Sequence, residues 1–128
     1  AAYPQMKAAG GGSIVNFGSI SWMNGEGNFN AYTTSKAAVH GMTRGLARDW
    51  GVDRVRVNTV VPGWVMTERQ IKLWLTPEAE EDLMKGQCIK RKLVPDDIAR
   101  MVLFLASGAS SWITGQTYPV NGGYSFAL

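Results

Sequence analysis

The segment "RVRVNTVVPG", residues 54–63, constrains this chain more than any other. It reads as a nearly continuous apolar run closed by Pro62-Gly63. A strand of that pattern has no wet face, and such strands belong to parallel sheets with helices packed on both sides. The flanking sequence supplies the helices. From Ala31 to Trp50, Val39, Met42, Leu46 and Trp50 fall at spacings of three and four, which places them on one helical face, with Gly51 as the stop. "DDIARMVLFLAS", residues 96–107, reads as another helix, its two acids in the first turn favourable to the helix dipole.

Shorter runs complete the pattern. "YPQMKAAGGG" is the tail of a helix halted by three glycines. "SIVNFGS" is a short buried strand, and "ITGQTYPVNGG" a third strand or a strand and turn. Residues 66–94 are charged and contain Pro77, which predicts short helices over a cleft. Helix and strand therefore alternate three times, the signature of a parallel α/β sheet with right-handed crossovers. A chain of 128 residues fits one domain, with no internal repeat and no linker.

Composition excludes several function classes. The net charge of +3 comes from 13 basic and 10 acidic residues, and the densest basic cluster, Lys90-Arg91-Lys92, is too short for a nucleic-acid stripe. The longest apolar run, Met101 to Ala106, falls far below the ~20 residues of a membrane span. The first residues lack a charged leader followed by an apolar core, so no signal peptide is expected. Cys88 is the single cysteine, which rules out an intrachain disulfide and fits a reducing cytoplasm. No metal is expected. Cys88 reads as a small buried or half-buried residue, and His40 as a surface or interface residue.

Chemistry concentrates in "AYTTSK". Tyr32 and Lys36 lie four apart, on one face of the expected helix. A free phenol titrates near 10 and is a poor base at neutral pH, but a neighbouring ammonium favours the phenolate. Such a pair can exchange a proton with a substrate hydroxyl or carbonyl, although Tyr-x-x-x-Lys alone matches many unrelated chains. Ser19 adds support. It lies thirteen residues before Tyr32, at the carboxyl end of the first expected strand, where open α/β sheets bind ligands. A hydroxyl there can hydrogen-bond and polarise the same substrate oxygen. Pro62-Gly63 brings bare backbone to that edge, and Thr67 can cap the next helix or meet a ligand.

Taken together, "GGSIVNFGSIS", "AYTTSKAAVHGMTRGLARD", "VRVNTVVPGWVMT" and "ITGQTYPVNGGY" resemble the C-terminal half of a short-chain dehydrogenase/reductase, in order and spacing, over nearly the whole chain. The resemblance implies the C-terminal part of a doubly wound, Rossmann-like parallel sheet with flanking helices. It implies an NAD- or NADP-dependent oxidoreductase with a small-molecule substrate, in a dimer or tetramer. By motif position Ser19 orients substrate, Tyr32 is the acid/base, and Lys36 lowers the Tyr32 pKa and holds the nicotinamide ribose. The residues after Pro62-Gly63, namely Val65 and Thr67, would contact the nicotinamide carboxamide. Where the family often has Ser-Ser this chain has Gly18-Ser19, and Ser21 is a lesser candidate for the hydroxyl role.

"NFGSISW", "PGWVMTERQ" with "LWLTPEAEE", and "GQCIKRKLVPDDIA" resemble members that oxidise aldoses at C1 to lactones, such as xylose or arabinose 1-dehydrogenases. On that reading Trp22, Trp64 and Trp74 stack on sugar faces, and Asn24, Glu26, Arg69 and Gln70 partner hydroxyls. The runner-up is reduction of a 3-oxoacyl thioester or another ketone. The Gly-rich turn that binds a dinucleotide pyrophosphate is not found here, since "GGGS" at 10–13 precedes a strand instead of following one. The expectation is therefore the C-terminal part of a longer enzyme, unable to hold its cofactor unaided. The alternative is a non-catalytic half-domain that persists by association, with the Val39/Met42/Leu46/Trp50 face as its interface.

Overall fold

The computed structural model describes residues 2–126. Its elements are α1 (Ala2–Ala8), β1 (Gly12–Phe17), α2 (Ile20–Met23), α3 (Asn30–Trp50), β2 (Val55–Pro62), α4 (Glu68–Trp74), α5 (Pro77–Gly86), α6 (Pro95–Ala106) and β3 (Thr117–Val120). The three strands are parallel in the order β1-β2-β3, with Gly12 opposite Val55 and Thr59 opposite Thr117. This is the parallel α/β arrangement that the alternation of apolar runs implied.

The central strand has no wet face. Val55, Val57, Asn58, Thr59 and Val60 are fully buried. Side chains alternate across a strand, so each face of β2 meets a different helix. Thr59 Oγ1 shares a 2.7 Å hydrogen bond with Thr43 Oγ1 of α3. On the opposite face Arg56 donates to the Leu105 and Ser107 carbonyls, at 2.9 and 3.2 Å, satisfying the unpaired carboxyl end of α6. Helices α3 and α6 therefore cover opposite sides of the sheet. The α6 side holds the apolar core, in which Val60, Leu93, Ile98 and Leu105 pack together. Each such side chain stabilises the fold by about 1.5–3 kcal/mol.

The α3 side is built differently from the expectation. Met42 is 48% exposed, whereas Thr43 and Ala47 are buried. The face against the sheet is thus rotated by about one residue from the Val39/Met42/Leu46/Trp50 stripe. Thr43 wins the inner position because it is small and its hydroxyl is paired twice, with Thr59 and with Asn16 Nδ2 at 2.9 Å. Helix α3 ends at Trp50 as expected, but the left-handed residue is Arg54, after a short 3₁₀ turn.

The connections follow their caps. Thr67 and Thr76 accept hydrogen bonds from the Gln70 and Ala79 backbone amides, starting α4 and α5, and Pro77 and Pro95 occupy first helical positions. Buried Asn58 steers the chain into β3, donating to the Ile113 carbonyl at 2.9 Å and accepting from the Gln116 amide at 3.0 Å. Residues 113–116 are consequently a pinned loop, and β3 begins only at Thr117.

Candidate active site

The carboxyl ends of β1 and β2 open into a cleft of 830 Å³, roofed by α4, α5 and the turn after β3. Its wall includes Ser19, Ser21 and Tyr32 on one side and Pro62, Gly63, Trp64, Val65, Thr67 and Gln70 on the other. The chain therefore brings together most of the residues singled out from sequence. They come from three stretches of the chain, at 19–21, at 32 and at 62–70, and meet because parallel strands deliver every loop of this kind to one sheet edge.

Ser19 lies two residues past β1 and caps a single helical turn, α2, that the sequence reading did not contain. Its Oγ accepts from the Ser21 amide at 3.2 Å and donates to Ser21 Oγ at 3.0 Å. The hydroxyl is thus held, in a residue 8% exposed. On the same side, Tyr32, the third residue of α3, lines the cleft and is 47% exposed. Lys36 sits one turn on, its Nζ 5.7 Å from the Tyr32 ring centroid and 3.0 Å from the Phe17 carbonyl that accepts from it. That carbonyl aims the ammonium over the phenol ring, at the end of β1.

The opposite wall is equally specified. Gly63 donates to the Val120 carbonyl at 3.0 Å, and a Cβ there would come within 2.8 Å of Asn121 Cβ. Only bare backbone lets β2 and β3 finish this close. The Trp64 indole donates to Gln70 Oε1 at 2.7 Å, which orients the ring along the cleft. The wall also includes Phe29, Trp74, Asp82 and Tyr124. Of these, Phe29, Asp82 and Tyr124 had no signal in the sequence, because each reaches the cleft from a loop or helix whose placement depends on tertiary packing.

Three candidates lie elsewhere. Trp22 turns away from the cleft and donates its indole proton to His40 Nε2 at 3.1 Å. Asn24 accepts from Ser125 Oγ at 2.5 Å, tying α2 to the turn after β3. Arg69 is exposed on α4 and does not line the cleft. Glu26 lines it as expected. His40 is not a surface residue: it is half-buried, and burial, then the Arg44 charge, pull its pKa below the ordinary imidazole value. Cys88 in turn is exposed, not buried, and its thiol faces the Gly123 carbonyl at 3.3 Å.

A sheet edge whose cleft joins Ser19 to Tyr32, with Lys36 outside the lining and over the Tyr32 ring, defines a class. A family profile described as enoyl-(acyl carrier protein) reductase matches residues 1–125, and the chain belongs to the short-chain dehydrogenase/reductase family. D-xylose 1-dehydrogenase of Caulobacter vibrioides is 50% identical to it over 121 residues, 94% of this chain and 48% of that protein. A short-chain dehydrogenase/reductase structure from Mycobacterium ulcerans superposes with a TM-score of 0.91 at 34% identity, over 96% of this chain and 45% of that one. A 7α-hydroxysteroid dehydrogenase solved with NADH and 7-oxo glycochenodeoxycholic acid gives a TM-score of 0.88 at 39% identity, over 94% and 47%. The chain thus spans about half the length of the relatives it matches. Among the described residues no helix is long and apolar enough to cross a membrane.

Proposed function

We propose that the complete protein is an NAD- or NADP-dependent dehydrogenase that oxidises the C1 hydroxyl of an aldose to a lactone. The observation that carries this reading is the cleft itself: the Ser19 and Tyr32 hydroxyls face an aromatic wall in which Trp64 is held in place by Gln70. A sugar ring offers an apolar C–H face to an indole and hydroxyls to the groups around it. The 50% identity to a D-xylose 1-dehydrogenase supports the same substrate class.

In this scheme Tyr32 Oη takes the C1 hydroxyl proton while the C1 hydrogen departs with its electron pair, leaving the lactone carbonyl. Ser19 Oγ turns its proton from Ser21 Oγ to the C1 oxygen and fixes its position. The Lys36 ammonium stands beside the reacting phenol in the same step, 5.7 Å from the Tyr32 ring centroid. The donor set suits the nicotinamide end of a dinucleotide: the Lys36 ammonium and the Tyr32 and Thr67 hydroxyls would hold its ribose and amide, and Gly63 leaves bare main chain at that edge. When bound, that ring accepts the hydride.

The runner-up is reduction of a 3-oxoacyl thioester or other ketone, favoured by the description of the matching family profile. The cleft's charge speaks for the sugar. Its lining carries two carboxylates, Glu26 and Asp82, and among the described residues no Lys or Arg to meet a phosphopantetheine phosphate. We also infer a homo-oligomer, supported by the apolar side chains of Met42 and Leu103, 48% and 71% exposed on α3 and α6. The test is a panel of aldoses, hydroxysteroids and 3-oxoacyl thioesters with NAD and NADP on the complete reading frame. Lactone formation from a neutral aldose bears the reading out. Turnover confined to the thioesters or steroids refutes it.

A further inference from the structure

His40 is the side chain of greatest consequence that this chemistry leaves unused. It sits one turn beyond Lys36 on α3, and both of its ring nitrogens are engaged. A tryptophan Nε1 is only ever a donor. The 3.1 Å bond from Trp22 therefore makes His40 Nε2 the bare nitrogen, and Nδ1 carries the proton, which it donates to Thr117 Oγ1 at 3.1 Å. One neutral imidazole so joins α2, α3 and β3. The indole also packs edge-on against it, with ring centroids 4.8 Å apart and planes at 67°. Gly18 makes the room: a Cβ at that position would lie 2.9 Å from His40 Nε2 and 3.1 Å from Val61 Cγ2. The glycine that replaces a serine before Ser19 is thus the complement of His40.

The consequence falls on Ser19. Helix α2 is one turn of four residues, too short to hold itself together, so its place is set by its anchors. Those anchors are buried Ile20, the Trp22–His40 bond and, at the far end of the turn, the Asn24–Ser125 bond; of the three, only the Trp22–His40 bond reaches α3 through a titrating side chain. We propose, on the roles given above to Ser19 and Tyr32, that His40 is a positioning residue: through Trp22 it clamps the turn carrying the Ser19 hydroxyl against the helix carrying Tyr32. A second proton on the ring removes the acceptor at Nε2 and opens the clamp. The charges that bear on this are Arg44 on the same helix, and Lys36, which points to the Phe17 carbonyl. Trp22 and Thr117, which meet the ring from α2 and β3, and Thr59 and Val61 of β2, which crowd Gly18 beside it, carry no charge.

Three variants of the complete protein test the clamp. Trp22→Phe keeps an aromatic ring against His40 but removes the indole proton, in a smaller side chain. His40→Gln offers an amide oxygen to Trp22 and an amide proton to Thr117, and does not titrate. His40→Ala removes both bonds. On the best substrate of the panel, Trp22→Phe and His40→Ala should lose about tenfold in kcat, since small displacements of a reacting group cost that much. KM should change less than about twofold, because the lost interaction belongs to the transition state. His40→Gln should restore kcat and remove from the pH profile the inflection that coincides with His40 titration, leaving the one that belongs to Tyr32. The second readout needs no turnover: the Trp22 indole ¹⁵N–¹H resonance, assigned by its disappearance in Trp22→Phe, should shift with the same midpoint as the His40 ring. Wild-type kcat in Trp22→Phe overturns the proposal, and so does an indole resonance indifferent to His40 titration. A shifting indole in a protein that oxidises no sugar supports the clamp and refutes the aldose reading alone.

Discussion

Replacing Gly63 by alanine puts a methyl group into the seam where β2 ends beside the chain leaving β3. The new Cβ would stand 2.8 Å from Asn121 Cβ and 2.9 Å from its Cα. Carbon atoms prefer about 3.5–4.0 Å, so the seam must open by roughly 0.6–1 Å. Asn121 cannot yield cheaply. It is 5% exposed, and its side chain donates to the Ser125 carbonyl and accepts from the Gly123 amide, at 2.8 and 2.9 Å. The Gly63–Val120 hydrogen bond crosses the same gap. Overpacking of this kind costs about 1–3 kcal/mol, and the stretched bond adds about 1 kcal/mol. At this size 1 kcal/mol corresponds to about 3–5 °C, so the melting midpoint should fall by roughly 6–20 °C. The control is Gly41→Ala, on the exposed side of α3 with nothing within 4 Å of the new Cβ. It should gain about 0.5–1 kcal/mol from the helix interior. Circular-dichroism melts decide the matter: a Gly63→Ala midpoint within about 2 °C of wild type would show that the seam is not tight.

Leu105→Ala empties the centre of the α6 packing, where the side chain is fully buried, and should cost about 2–5 kcal/mol in urea unfolding. Acid dependence follows from Asp97, whose carboxyl is held well below the usual range first by Arg91 and then by the Val94 amide at 3.0 Å. A depressed folded-state pKa gives stability that is present above the unfolded value of about 3.8 and is lost as pH falls below it. The urea midpoint of Asp97→Asn should therefore trail wild type at neutral pH and converge with it in acid. A gap independent of pH would refute that role.

Much of the architecture was legible because the sheet is parallel. The doubly covered β2 had to be largely apolar, with its polar residues Arg56, Asn58 and Thr59 all hydrogen-bonded, and the alternation around it left one economical topology. The residues at the carboxyl edge, Ser19, Tyr32, Pro62-Gly63 and Thr67, were legible for the same reason, since strand ends locate loops. Smaller features escaped. Helix α2 is one turn and has no period to detect. The inner face of α3 was misplaced because hydrophobicity points to Met42, while packing selects Thr43, whose hydroxyl is satisfied by Asn16 and Thr59. Trp22 looked like a sugar platform and is a strut, a distinction made by a histidine 18 positions away. Asn24 and Arg69 failed similarly: a polar residue near a site in sequence has several partners within reach, and only the fold chooses among them.

The central claim is that Tyr32 exchanges the proton in the reaction. Tyr32→Phe in the complete protein keeps the ring beside Lys36 and removes only the hydroxyl. Turnover should fall by at least about 10²–10⁴-fold, the range of general acid–base catalysis. Nicotinamide cofactor affinity, measured by titration, should fall by less than about tenfold, the value of the one hydrogen bond lost. Turnover within about threefold of wild type would contradict the assignment, whatever the substrate.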